Sequence, residues 1–414
     1  MISKNKIILL TLLILSLFMI MGSSYAEDIT LNSTTNLKQN IDAVDSGSTI
    51  TLISGKEYTL NSPWAIWLED KNIIIKSSDK SKNAVINLNN RGGAFTVAGG
   101  HLTLINITIK NGDNAITNVG RLTMTGCTFT NNKVAIDNQP GGKATINSCT
   151  FNNNKGEDGG VIYNRGVITL KNCMFTNNKA SNCGGVIYQS GQSSEGLVAC
   201  TFTLCTFTNN QASNSGGAIY SLSKITINSC TFTNNKASWG GAICNAQQTV
   251  IINGCTFSNN QAKKVGGAIY SDRWPYIHCK LIITKTTFKN NIITSKKIFN
   301  AISTESAKII KKNVKIIPRD GVKVPKQANL KITKVTRKAN SHYVLVKNSG
   351  DKASVKSTLG VYIDNTLIKK VNVKPLAIGK SLQVKVTIPK KYLSETHKNT
   401  IKTFKLAKSS FKAK

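Results

Sequence analysis

The sequence predicts an all-β protein in which a parallel β-helix of about ten coils is followed by a small β-sandwich. Two repeated phrases and one change of composition carry this expectation. The phrase Cys-Thr-Phe-Thr-Asn-Asn, with small variations, begins at Cys127, Cys149, Cys173, Cys205, Cys230 and Cys255, and once more without the cysteine at Thr286. A second phrase, Gly-Gly-Ala/Val-Ile, begins at Gly159, Gly184, Gly216, Gly240 and Gly266. Near residue 315 both phrases stop, and lysine-rich segments with two-residue alternation take over.

The spacing selects the kind of solenoid. Successive phenylalanines of the first phrase lie 22, 24, 32, 25, 25 and 31 residues apart. Helical repeats are mostly longer and carry a 3.6-residue apolar period. Here Ile225 and Ile227 alternate, two residues pass, and Cys230 and Phe232 alternate again. Alternation places such pairs on one face of a short strand. With Ala242-Ile243-Cys244 after the glycine pair, one coil reads as three short strands and three bends. The longer steps are coils with extended loops near Gln189–Ala199 and Asp272–Cys279. Coils stack at the inter-strand spacing of about 4.8 Å, so ten make a rod of roughly 50 Å. Identical residues then form ladders: Phe and Cys inside, Asn in a bend that tolerates left-handed backbone. The glycine pair supplies positive φ or close packing.

The ends follow. Lys4 and Lys6, the apolar run Ile7–Met21 and Ser24-Tyr25-Ala26 read as a secretory signal over residues 1–26, which leaves no transmembrane anchor after cleavage. Residues 34–60 read as a cap, with a short helix over Asn36–Val44, strand Thr49–Ile53 and a turn at Gly55; a solenoid needs one to cover its end. Ile73–Lys76, Ala84–Leu88 and Leu102–Ile109 continue the coils. The expected organisation is signal 1–26, β-helix 27–315, basic linker 316–326 with Pro318 and Pro325, and a sandwich over 327–414. Within the last segment, Leu330/Ile332, Tyr343/Leu345, Val361/Ile363 and Leu382/Val384/Val386/Ile388 alternate between turn signals, giving about seven strands.

Ten cysteines in an exported chain raise the question of disulfides. Ladder neighbours have parallel Cβ vectors about 4.8 Å apart, whereas a disulfide needs about 3.8 Å and converging ones. The ladder cysteines therefore read as buried thiols, while Cys183, Cys200, Cys244 and Cys279 lie off the ladder and can pair. No C-x-x-C is present and the four histidines, at 101, 278, 342 and 397, are scattered, so no metal or other cofactor is expected. His101, in a Gly-Gly-His turn, reads as structural.

The formal net charge is +35, and residues 291–414 hold 29 Lys and Arg against 5 Asp and Glu, +24 of that total. Such a field suits anionic envelope polymers. Nucleic acid is not the expected partner, because no recognition motif accompanies the charge.

The phrases Gly-Gly-Ala-Ile and Phe-x-x-Asn resemble the repeats of chlamydial polymorphic outer-membrane proteins and of the adhesin-like surface proteins of methanogenic archaea. The resemblance spans roughly residues 30–315. It implies the right-handed parallel β-helix of the superfamily that includes pectate lyases, and an anaerobic habitat that free thiols would suit. Asn329-Leu-Lys-Ile, Lys347-Asn-Ser-Gly350 and Leu376-Ala-Ile-Gly379-Lys resemble CARDB, an Ig-like module of cell-surface adhesion proteins, which implies a spacer or adhesion role. The same β-helix carries lyases, hydrolases and adhesins, so it does not decide function.

Enzymes of this architecture that act on polyuronates need clustered carboxylates. Residues 91–290 hold six acids, of which Asp113, Asp137 and Asp158 form the one trio suited to catalysis. Asp113 and Asp158 are nearly in register two coils apart, about 10 Å, just past the separation of inverting hydrolases. Tyr163, Tyr188, Tyr220 and Tyr270 follow the inward isoleucine and are expected to point outward, where they and Trp64, Trp67, Trp239 and Trp274 can form a sugar-stacking stripe. Asn32-Ser-Thr and Asn106-Ile-Thr are glycosylation sequons, with Asn32 in an exposed segment and Asn106 in a strand. The expected function is that of a secreted, non-enzymatic, adhesin-like cell-surface protein. It would bind cell-wall glycans or those of host or neighbouring cells, with the basic module on the anionic envelope. The alternative is a lyase or hydrolase of acidic polysaccharide.

Overall fold

The computed structural model describes residues 26–32, 36–190, 199–271 and 279–295, and then 298–299, 301–304, 308–317, 330–338, 341–348, 357–363, 366–377, 380–387 and 402–406. The predicted signal, most of both extended loops, Trp274 and most of the linker lie outside these residues. The chain forms two compact units, residues 1–323 and 324–414.

The coils up to Asn138 have the expected three strands, as in Arg121–Thr125, Thr128–Thr130 and Val134–Asn138, whereas each full coil from Lys143 on has four. Ile225–Asn228, Thr231–Thr233, Lys236–Trp239 and Ile243–Asn245 follow one another round one coil. Their equivalents stack into sheets of twelve, eleven, seven and ten strands, parallel throughout except where Ile298–Phe299 ends the seven-stranded sheet antiparallel to Ile292–Ile293, and called here the first to fourth sheets in the order the chain visits them. The third sheet was missed because its strands are as short as the two residues Lys179–Ala180. The twelve strands of the first sheet also exceed the ten coils expected. Single residues with positive φ turn the corners: Ser229 (52°), Asn234 (56°) and Gly240 (62°) in this coil.

The ladders are in register. Phe129, Phe151, Phe175, Phe207, Phe232, Phe257 and Phe288 are fully buried, and their rings stack with centroids 4.5–5.2 Å apart. Offset stacking adds about 0.5–1.5 kcal/mol per pair beyond the area buried. The two asparagines of the phrase do different work. The first, as at Asn209 (φ 57°), supplies the left-handed bend. The second turns inward and is buried. Asn178 Nδ2 donates to the Phe151 carbonyl in the preceding coil and to Asn210 Oδ1 in the following one, both at 3.0 Å. Its own Oδ1 accepts from the backbone N–H and the Nδ2 of Asn154. The glycines also divide their roles. Gly184 has φ +66°, whereas a Cβ on Gly185 would lie 2.1 Å from the Gly217 carbonyl oxygen.

All ten cysteines are buried thiols, so the pairing left open to Cys183, Cys200, Cys244 and Cys279 is not made. Ladder thiols donate to carbonyls, as Cys230 Sγ does to Asn228 at 3.2 Å. At the N-terminal end, helix Leu37–Ala43 is capped by Asn36, whose side chain accepts from the Gln39 N–H, and it buries Leu37 and Ile41. The run Leu102–Ile109 is two strands broken at Asn106, which has φ 55°. The last strand of the unit, Lys315–Ile317, pairs with Thr287–Lys289, so residues 316 and 317 belong to the β-helix and not to a linker.

The second unit has six strands among the described residues, in two antiparallel sheets of three. One holds Leu330–Lys338, Ser341–Asn348 and Ser381–Thr387; the other holds Ser357–Ile363, Thr366–Val373 and Lys402–Leu406. Val373, Leu376 and Val384 are buried. This is the sandwich anticipated.

Replacing Asn210 by Leu removes the amide donor to the Phe175 carbonyl, the acceptor of the Asn178 N–H and one of the two acceptors of Asn178 Nδ2. Urea denaturation should show a loss of about 3 kcal/mol or more, at roughly 1–3 kcal/mol for each unsatisfied buried group. Asn209→Gly, which keeps the left-handed bend, should cost less than about 1 kcal/mol.

Candidate functional site

Outward-facing positions of the fourth sheet form one row along the β-helix. Register runs Trp67, Thr96, Thr117, Asp137, Tyr163, Tyr188, Tyr220, then Cys244 and Tyr270. Strand alternation produces the row, because each of these residues follows the inward isoleucine or its equivalent.

A cavity of about 320 Å³ opens on this row, lined by Asn114, Val134, Asp137, Glu157, Asp158, Tyr163 and Arg165. Two of the three predicted carboxylates, Asp137 and Asp158, thus share one cavity. Asp113 does not line it; its carboxylate pairs with Lys133 at 2.6 Å, both groups well exposed. The Asp137 side chain is 17% exposed, against 47% for Asp113. Gln139 Nε2 donates to its Oδ2 at 2.5 Å, and the Arg165 guanidinium stands 3.7 Å from its Oδ1. Desolvation outweighs both partners and holds the carboxyl above its ordinary range. Asp158 Oδ1 accepts from the Cys183 N–H at 3.1 Å. The Arg165 guanidinium also lies 5.2 Å from the Tyr163 ring centre.

Glu157, Arg165 and Gln139 had not been singled out from sequence. Arg165 sits two residues beyond Tyr163, and Tyr163 is the register partner of Asp137. Aligning the repeats on the inward isoleucine would have brought the pair together.

The tyrosines face outward as alternation requires, but not as a platform. Tyr163, Tyr188 and Tyr220 are half-buried and stack on each other, with centroids 5.0 and 5.2 Å apart. Their faces meet neighbouring rings, so ring edges and hydroxyls are what the row presents. Burial pushes the Tyr188 phenol up to about 12, and Tyr220 is raised too. Tyr270 is buried at 6% exposure, beside Trp239. Trp64 and Trp67 are 77% and 60% exposed, and Trp67 opens the row.

Elsewhere, His101 begins a strand and is not in a turn; a ring nitrogen bonds the Thr123 hydroxyl at 2.8 Å, and burial lowers its pKa. Asn32 is exposed, while Asn106 is half-buried in a bend rather than a strand. Among the described residues, no three His, Cys, Asp or Glu side chains group so as to hold a metal ion.

Residues 156–314 match the family model described as a right handed beta helix region, and residues 323–404 match CARDB. No curated protein matches the chain. Among solved structures, the alginate lyase of Paenibacillus sp. str. FPU-7 is similar at 10% identity and TM-score 0.38, over 70% of this chain and 99% of the lyase. The Dettilon tailspike protein (gp208) is similar at 9% identity and TM-score 0.29, over 81% of this chain and 84% of the tailspike. Likenesses this remote carry no argument about activity. The chain thus combines a right-handed β-helix with a C-terminal CARDB domain.

The raised Asp137 carboxyl has a consequence for stability. Below its ordinary value of 3.8 it is protonated in both folded and unfolded chains and carries no penalty. As pH rises through the higher folded value, the folded state must bury the charge, and stability is lost. Asp137→Asn should therefore melt at the same temperature as the native chain below pH 3.8 and at a higher one at pH 7. A lower melting temperature at pH 7 would mean that the Arg165 pair outweighs desolvation.

Proposed function

We propose that this is a cell-surface protein that binds a glycan along the outer row of the fourth sheet without cleaving it, while its basic C-terminal unit associates with anionic envelope polymers. The observation that supports this most directly is the continuity of the Asp137–Arg165 cavity with the tyrosine row. Along the row the Asp137 carboxylate is followed by the hydroxyls of Tyr163, Tyr188 and Tyr220 at the strand spacing of about 4.8 Å, with Arg165 beside them, a set of donors and acceptors suited to the hydroxyls of an extended sugar chain. Asp137, Glu157 and Asp158 face a single arginine in the cavity lining, so this site favours a neutral or amino sugar over a uronate. The tyrosines contribute hydroxyls and ring edges. Each carboxylate of the predicted trio is also engaged within the protein: Asp113 by Lys133, Asp137 by Gln139 and Arg165, and Asp158 by a backbone N–H. Export and surface location are part of the same proposal, supported by the signal-like N-terminus and the kind of domains present.

One observation favours a second reading, that of a polysaccharide lyase or glycoside hydrolase. A carboxyl whose surroundings raise its pKa is suited to general-acid work, and burial raises that of Asp137, which lies beside two other acids. Of the two reactions, the acidic cavity suits hydrolysis better than elimination on a uronate.

Co-sedimentation of the chain with cell walls and insoluble polysaccharides, with the supernatant assayed for sugar fragments, separates the readings. Pelleting without fragments is expected, and Tyr163→Ala combined with Asp158→Ala should weaken it about tenfold, the equivalent of 1.4 kcal/mol. Fragments that disappear in Asp137→Asn would establish the enzyme instead. Pelleting on anionic walls should fall in about 1 M salt, where the screening length is near 3 Å; retention unchanged by salt would remove the envelope role of the basic unit.

A further inference from the structure

The corner between the second and third sheets carries a feature that glycan binding on the fourth sheet does not use. The three residues Asn131-Asn132-Lys133 recur as Asn153-Asn154-Lys155 and Asn177-Asn178-Lys179, then as Asn209-Asn210-Gln211 and Asn234-Asn235-Lys236. The middle asparagine is buried in its ladder, and the residues on either side of it are exposed. A trough of about 680 Å³ runs across successive coils here, with Asn131, Asn153, Asn177, Lys133, Lys155 and Lys179 among its walls. The lysine row is held in register by the third sheet: Lys155 pairs with Lys179, Lys179 with Gln211, Gln211 with Lys236 and Lys236 with Gln261. A row of hydroxyl and amide side chains lies just before the exposed asparagines, with Asn152, Thr176, Thr208 and Thr233 in register on the second sheet.

We propose that this trough is a second binding site, for an acidic polysaccharide lying parallel to the β-helix axis. Its carboxylate or sulfate groups would pair with the lysine row, and its hydroxyls would bond the exposed asparagine amides. Three observations support the assignment. Like charges directly opposite each other on neighbouring strands repel, yet Lys155 and Lys179 are such a pair, and no acidic side chain enters their row from Lys155 to Gln261. A polyanion in the trough relieves that repulsion. The asparagines are fixed by their left-handed bends, with φ of 57°, 55° and 58° at Asn131, Asn153 and Asn177, so amide groups are presented at the strand spacing without ordering a flexible loop. The walls named for the trough are amides and ammonium groups with no aromatic ring. Single-stranded nucleic acid is gripped largely by stacking on aromatics, so sugar hydroxyls and carboxylates match this surface better than bases do. At the end nearest the N-terminus, Lys133 already pairs with Asp113 at 2.6 Å, which shows the geometry in which an ammonium of this corner takes a carboxylate.

The test uses the full chain and an end-labelled oligogalacturonate, followed by fluorescence anisotropy at low salt. Lys155→Glu with Lys179→Glu is compared with Lys143→Glu with Lys171→Glu, which makes the same change of net charge at exposed positions of the first sheet. The trough variant should bind about tenfold more weakly or worse, and the first-sheet variant within about threefold of native, since two attractions become two repulsions only in the trough. Asn153→Gly with Asn177→Gly keeps the bends and should weaken binding several-fold, and the methyl-esterified oligomer should bind poorly. Thermal melting of each variant separates lost binding from lost folding. Equal losses in the two charge variants would mean that only the general field acts, and would overturn the site, as would no loss in either. An oligodeoxynucleotide that binds as tightly and shows the same trough dependence would overturn the polysaccharide assignment.

Discussion

A buried side-chain amide that finds its partners only in adjacent coils is the constraint on which the β-helix depends. Asn178 takes its acceptors from the Phe151 carbonyl and Asn210, and its donors from Asn154. No coil can satisfy its own corner. A buried amide left without partners costs more than an ordinary hydrogen bond gains, so from Asn132 to Asn291 successive coils carry an asparagine at this position in register with the next, and the ladder begins at Gly112, whose N–H donates to Asn132 Oδ1. The phenylalanine stack obeys the same rule more softly, because dispersion falls away with a shifted ring but leaves no polar group stranded. Polar satisfaction therefore sets register, and the apolar ladder supplies most of the burial.

Register, once set, decides what the outer surface can be. Every inward residue has outward neighbours, so a periodic core produces periodic outer rows. On the fourth sheet the row changes character along the unit, from Trp67 through two threonines and Asp137 to the tyrosines. On the second and third sheets it stays nearly constant, as threonine, asparagine and lysine. The first kind of row can hold a local site such as the Asp137–Arg165 cavity; the second offers the same chemistry at each step. The two surfaces also differ in charge, since the cavity gathers carboxylates while the trough gathers ammonium groups.

Most of this was legible from sequence where a residue type repeats at a fixed place. Phe, Asn and the paired Gly announced strands, corners and in-register ladders, and a short capping helix was expected over Asn36–Val44. What escaped had short or cross-coil causes. A strand of two residues, such as Lys179–Ala180, has too little alternation to be read. The break at Asn106 is invisible in an apolar run unless its left-handed bend is aligned with Gly126 and Ser148 in later coils. The meeting of Arg165 with Asp137 depends on register between residues 28 positions apart. The tyrosine row was placed on the correct face, but alternation gives the direction of a side chain and not the plane of its ring, so the stacking that closes the ring faces was not foreseen.

The near-identity of the middle coils bears on how such a chain changes over generations. Each coil meets only the one before and the one after, and the surfaces it offers to both are nearly the same. A tandem duplication of one repeat therefore inserts a coil that fits at once, displacing everything beyond it by one strand spacing along the axis and a small rotation about it. Unequal recombination between similar repeats can lengthen or shorten the unit in whole coils without a misfolded intermediate length. Reach becomes an integer variable, set by copy number, while the cap at Leu37–Ala43 and the second unit stay untouched.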